Sequence, residues 1–149
     1  MIDRSKWGPG PWDSEVKDVD EWDDKATGYR CIISRHLRNG HWCGYVRVPD
    51  NSPTYNLRYR HHVLGGVLVH GGLTYSSKGL IHISTVSTDK FFGFDCAHYD
   101  DAAPNDRDPF PGSTYKNLSY IKIECGLLAL QLHAINYALT PKPEENVDD

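Results

Sequence analysis

The most regular pattern in the chain lies near its C-terminal end, where Leu118, Ile121, Cys125, Leu128, Leu132, Ile135 and Leu139 recur at steps of three and four. An apolar stripe at that spacing predicts an amphipathic helix that starts after Ser113 or Thr114, stops before Thr140-Pro141 and lies across a sheet. Two segments of alternating character, TGYRCIISRH from Thr27 and HWCGYVRV from His41, flank Leu37-Arg38-Asn39-Gly40 and predict a β-hairpin turning at Asn39-Gly40. A type I′ turn there sets Arg38 opposite His41 and His36 opposite Cys43. Cys31, Ile33, Trp42, Val46 and Val48 then share the core face, and Arg30, Ile32, Ser34, His36, Cys43, Tyr45 and Arg47 the other, which is either solvated or part of a polar cleft.

Further strands are expected at Gly66–His70, Leu80–Ser87 and Lys90–Cys96, each a short apolar or alternating run. Residues 49–62 and 97–113 read as loops, the second with three prolines and four aspartates counted from Asp100. The fold class expected is α+β, with an antiparallel sheet of about five strands packed against one long C-terminal helix. Residues 1–25 form an acidic, Trp-rich arm with a short helix over Ser14–Asp24, pinned to the body by Trp7, Trp12 and Trp22. Residues 26–140 form the single domain, and 141–149 a disordered acidic tail.

At 149 residues the chain is long enough to bury a core without metal or disulfide staples. Its formal net charge is −4, with eight acids against four bases in residues 1–25 and a mildly basic body. That balance, with no strongly basic stripe, argues against nucleic-acid binding, while the arginines of the body offer places for a phosphate. Apolar runs are broken short of a membrane span and no signal-type segment opens the chain, so a cytoplasmic setting and free thiols at Cys31, Cys43, Cys96 and Cys125 are expected.

Two strings carry candidate chemistry. Val69-His70-Gly71-Gly72-Leu73-Thr74 would deliver an imidazole at a strand end and let backbone amides of Gly71 and Gly72 approach a ligand. Phe91–Asp101 places Asp95, Cys96 and His98 within four residues, followed by Asp100 and Asp101. Imidazole and carboxylate donors in that mixture suit zinc or manganese, with His70, Asp95, His98 and Asp100 as the metal set and Asp101 as an alternative carboxylate. The catalytic set is then His70, Asp95, Cys96 and His98, and Arg30, Arg47, Gly71, Gly72 and Thr74 would bind substrate. A second chemistry makes Cys96 a nucleophile, with His98 or His70 as base and the Gly71 and Gly72 amides as an oxyanion hole. His82, in a strand with Ile81 and Ile83, could reach the same cleft. His61, His62 and His133 read as surface or packing residues.

VHGGL at Val69–Leu73 resembles a five-residue segment of the metal-dependent serine/threonine protein phosphatases, whose other signatures are absent here. Over Gly28–Leu132, and most specifically at HGGLT (His70–Thr74) and GFDCAH (Gly93–His98), the chain resembles an uncharacterised family of small proteins carried by bacteriophages and bacteria. That resemblance implies an origin and a host-cytoplasm setting, with no activity attached. Two functions follow from the residues. One is a metal-dependent hydrolase acting on a small phosphate-containing molecule. The other is a non-enzymatic binder of a host defence protein or a signalling nucleotide, using the arm and the arginine face, and homo-oligomerisation through a sheet edge is a structural possibility beside both.

Overall fold

The computed structural model describes residues 2–80, 83 and 85–143. Its central hairpin joins β2 (Arg30–Arg35) and β3 (Trp42–Val48), paired antiparallel from Cys31↔Val46 to Arg35↔Trp42. The His36 amide closes the loop onto the His41 carbonyl at 2.8 Å. Gly40 alone in this turn has positive φ (+80°), so Asn39 does not adopt the left-handed conformation a type I′ turn requires, and the loop is four residues long. Ser34, not His36, therefore faces Cys43. This two-residue slip conserves strand parity, so Cys31, Ile33, Trp42, Val46 and Val48 still share the buried face. Gly40 is required for a second reason: a Cβ there would lie 2.5 Å from the Trp7 ring, which covers the turn.

The sheet has five antiparallel strands, as expected, in the order β1 (Val19–Asp23), β2, β3, β5 (Lys90–Asp95) and β4 (Tyr75–Lys78), but two members differ from expectation. Val19–Asp23 is β1, an edge strand on β2, where a helix over 14–24 was expected; only Pro11–Ser14 makes a helical turn. Period-two burial explains this, because Asp20 and Trp22 turn inward, Asp20 to Lys122 at 2.8 Å and Trp22 onto the core. The other edge is β4 (Tyr75–Lys78), paired to β5. Gly66–His70 is not a strand. Its backbone pairs with a side chain instead, the Gln131 amide, which accepts from the Leu68 N–H (2.7 Å) and donates to the Leu68 carbonyl (2.9 Å). Of the strand expected at 80–87, residues 81, 82 and 84 lie outside the described residues, and Ser87 and Thr88 form a turn.

Short strands β6 (Asp101–Ala102) and β7 (Thr114–Tyr115) pair in parallel, which keeps Thr114 out of the helix. Helix α1 runs Leu118–Leu139, later in the chain than the expected start, with Asn117 Oδ1 accepting the Tyr120 amide as its cap. It ends at Thr140, before Pro141, as expected. Its buried stripe of Ile121, Cys125, Leu128 and Leu132 packs on Cys31, Ile33, Trp42, Val46, Phe92 and Phe94. Gly44 admits this contact, since a Cβ there would fall 2.7 Å from Cys125 Sγ and 2.6 Å from the Phe94 ring. All four cysteines are buried thiols. In length and hydropathy alone α1 would suffice for a membrane span, but here one stripe of it closes the core, and the core helix of a globular fold passes the same test.

Candidate metal centre

The site assembles where the loop after Gln131's clamp meets the end of β5. Val69-His70-Gly71-Gly72 is a tight turn in which the Gly72 amide donates to the Val69 carbonyl at 2.8 Å and Gly71 has φ +68°. A turn of that pattern needs glycine at its third position and places His70 at the corner. Gly71 is needed for space as well, because a Cβ there would meet His98 Nε2 at 1.8 Å. The two imidazoles therefore approach across a bare backbone, with ring centroids 5.6 Å apart.

Asp101 joins them. His70 Nε2 lies 2.8 Å from Asp101 Oδ2, which also accepts the His98 amide at 3.1 Å, and Lys116 Nζ lies 2.8 Å from Asp101 Oδ1. Burial alone would raise the Asp101 carboxyl, but Lys116, His70 and the His98 amide outweigh it and hold the group below the ordinary carboxylate range. On the other side of the ring, His70 Nδ1 lies 2.7 Å from the Tyr120 hydroxyl, which burial, with Glu124 adding, pushes up to about 12, so it stays protonated at neutral pH. In a neutral His70 the Nε2–H donates to Asp101 and Nδ1 accepts from Tyr120. His98 Nε2 is buried without a hydrogen-bond partner, and its nearest carboxylate oxygen among the ion pairs is Asp95 Oδ1 at 3.7 Å.

One ligand atom each from His70, His98 and Asp101 lies within 4.8 Å of the others, so this group could hold a metal ion. His70, His98 and Asp101 are the residues that would hold such an ion, and their imidazole nitrogens and carboxylate oxygen are donor types that zinc and manganese accept. The orphaned His98 nitrogen and the anionic Asp101 fit that role. With an ion present, His70 Nε2 would turn its lone pair to the metal and Nδ1–H would donate to Tyr120, the second partner that metal-bound histidines usually have.

The expected meeting of His70 with the end of β5 is thus present, with changes in membership. Asp100 is exposed and contributes its carbonyl to the Thr114 amide, whereas the next residue, Asp101, turns inward as β6 pairs with β7. Asp95 stands outside the three-residue group, accepting from Thr74 Oγ1 (2.9 Å) and the Ala97 amide (3.1 Å); Thr74 is thereby a support for Asp95. Cys96 is 2% exposed within the core, and burial, with Asp101 nearby, raises its thiol, an environment that disfavours a nucleophile. The Gly72 amide is committed to its own turn, not to an oxyanion hole.

Arg30 and Arg47 are elsewhere. Arg47 is four residues along β3 from Cys43, the partner of Asp95, or ~13 Å at strand rise. Both arginines line a separate cavity of ≈ 330 Å³ and are paired there, Arg30 with Glu21 and Asp23 (3.2 Å each) and Arg47 with Asp89 (3.6 Å). His82 lies outside the described residues. His61 caps a turn through Nδ1 on the Val63 amide, and the exposed His133 sits edge-on to Tyr29. Lys116, Tyr120 and Gln131 were missed by sequence reasoning. Only Gln131 left a trace there, as a polar residue beside the buried helix stripe.

Two adjoining cavities open beside the centre. One, of ≈ 290 Å³, is lined by Asn39, His41, His98, Asp101, Asn105 and Asp106; the other, of ≈ 410 Å³, by His41, Tyr45, Thr74, Tyr75 and Asp95 among others. Burial, with His36 beside it, pulls His41 down to about 4, so the His41 imidazole is neutral at neutral pH. No family model, curated protein or solved structure matches the chain.

Proposed function

We propose that this chain is a small hydrolase working with a divalent cation, zinc or manganese, held by His70, His98 and Asp101. The observation that carries the reading is the meeting of one ligand atom each from His70, His98 and Asp101 within 4.8 Å, beside a buried His98 Nε2 that has no hydrogen-bond partner. Three protein ligands of the type N, N, O leave coordination positions open, which is the pattern of catalytic rather than structural ions. The ion would polarise the scissile group and lower the pKa of a water molecule. Asp95, half-exposed at the rim and 3.7 Å from His98, is placed to take a proton from water on that side. Lys116 and Tyr120 would hold Asp101 and His70 in place.

The cleft lining carries no arginine or lysine among the described residues, so a phosphate group would be held by the ion with Asn39 and Asn105. A phosphoester is accordingly the first substrate class to offer, and a neutral ester or amide the second. The binder reading has less support, because Trp7 lies over Arg35, Trp12 sits edge-on to Tyr115 and Trp22 packs on the core, while Arg30 and Arg47 are paired with carboxylates. The test is metal content of the chain purified without chelator and after loading with Zn²⁺ or Mn²⁺, followed by hydrolysis of bis-p-nitrophenyl phosphate. Uptake near one ion per chain, lost in His98→Ala and Asp101→Asn, is expected. A folded chain that takes up neither ion would overturn the proposal.

A further inference from the structure

Helix α1 carries two apolar stripes, and the fold covers one of them. Ile123, Leu127, Leu130, Ala134 and Tyr137 recur at steps of four, three, four and three, two residues out of phase with the buried stripe and so about 200° around the helix. The structure leaves them open: Ile123 is 65% exposed, Leu127 47%, Leu130 53% and Tyr137 66%. Leu68, clamped beside the helix by Gln131, is 80% exposed at the edge of the same face. Scattered exposed leucines are ordinary, but a continuous stripe this long, on the order of 500 Å², marks an interaction surface.

We infer that this stripe is a dimerisation seam, occupied by α1 of a second copy of the chain. A repeat alternating four and three is the spacing by which two helices interlock side chains, and such a seam is complementary to itself, so a two-fold pair satisfies both copies at once. Small residues within and beside it, Ala134 and Gly126, let the two backbones approach. Charge favours a second copy as well. The only formally charged side chains of α1 are Lys122, tied to Asp20, and Glu124, and from Cys125 to Leu139 there is none, so no like charges repel the stripe's mate. A bilayer surface would instead call for a row of lysines and arginines along the stripe, which this helix lacks. Leu68 extends the patch toward the ~800 Å² per partner of a standard interface, so the stripe fits a pair of modest affinity.

The test is the mass in solution of the full chain by light scattering from about 1 to 200 µM, the range over which a micromolar dimer dissociates. Wild type is expected as a dimer that dissociates on dilution. Leu127→Glu combined with Leu130→Glu is expected as a monomer with unchanged far-ultraviolet circular dichroism, since both positions are half-exposed and bear no core load. Because all four native cysteines are buried, Ala134→Cys offers a single exposed thiol, and mild oxidation should give a covalent dimer. A wild-type monomer at every concentration would overturn the inference, as would a dimer that survives the double substitution. So would a monomer that co-sediments with phosphatidylcholine vesicles, which would assign the stripe to a membrane surface.

Discussion

Glu15 Oε2 accepts the Leu118 amide at 2.6 Å, so a carboxylate from the N-terminal arm caps a helix that begins 103 residues later. Its other oxygen receives Arg35 at 2.8 Å, the Trp42 indole at 3.3 Å and the Tyr115 hydroxyl. Arg35, whose side chain is fully buried, is held by Glu15, Asp18 and the Gly40 carbonyl and stacks on Trp42 at 4.3 Å. One carboxylate thus unites the arm, the end of the central hairpin, the β7 region and the helix. Residues 1–25 are not an appendage.

Replacing Glu15 with Gln is expected to destabilise the fold by about 3 kcal/mol, because a buried guanidinium loses its main counter-charge while Asp18 remains. A lower urea midpoint at unchanged slope would be the signature.

Acid should act through the same group. Burial would raise Glu15, but hydrogen bonds from Tyr115, Leu118, Trp42 and Arg35 outweigh it, and its folded pKa lies below the ordinary value. Asp101 is lowered likewise. A carboxyl with a depressed folded pKa contributes stability that is present above its unfolded pKa, about 4, and is lost as pH falls through the folded value. Urea midpoints measured from neutral pH downward should therefore hold until about pH 5 and then decline, and Glu15→Gln should flatten part of that decline.

The two glycines after His70 should respond differently to alanine. Both have positive φ, so each pays ~1 kcal/mol of backbone strain. At Gly72 the added methyl meets nothing, whereas at Gly71 it lands on His98 Nε2. Zn²⁺ affinity measured by competition with a chromogenic chelator is expected to fall at least ~10-fold in Gly71→Ala and to change little in Gly72→Ala.

Gln131 holds the backbone that delivers His70, and Gln131→Leu removes both of its bonds to Leu68. Amide exchange at Leu68 should accelerate ~10-fold, equivalent to loss of ~1–2 kcal/mol of local stability, while the core around Leu128 keeps its protection. Equal acceleration across α1 would instead mean that the glutamine supports the whole helix.

Thiol chemistry gives a last check. Burial raises Cys31 and Cys43 to about 12 and pushes Cys96 and Cys125 up as well. The folded chain should leave Ellman's reagent unreacted at pH 8 and release four equivalents once unfolded in guanidinium. A fast-reacting thiol in the native state would restore Cys96 as a nucleophile.

Periodicity in the chain determined helix α1, the two faces of the β2–β3 hairpin and the position of β5, because each is a local repeat whose buried side is written in consecutive residues. His70 and the end of β5 could be paired as a site from sequence because glycines and ligand-type side chains cluster at both. Tertiary structure alone decided the rest. Val19–Asp23 became a strand because an open edge of β2 and ion pairs to Lys122 and Arg30 outweighed its local preference. Asp101 rather than Asp100 entered the metal group because pairing of β6 with β7 set which of two adjacent aspartates faces inward. Lys116 and Tyr120 complete the centre because α1 starts where it does. Each of these choices balances contacts between residues far apart in the chain, and no local pattern records such a balance.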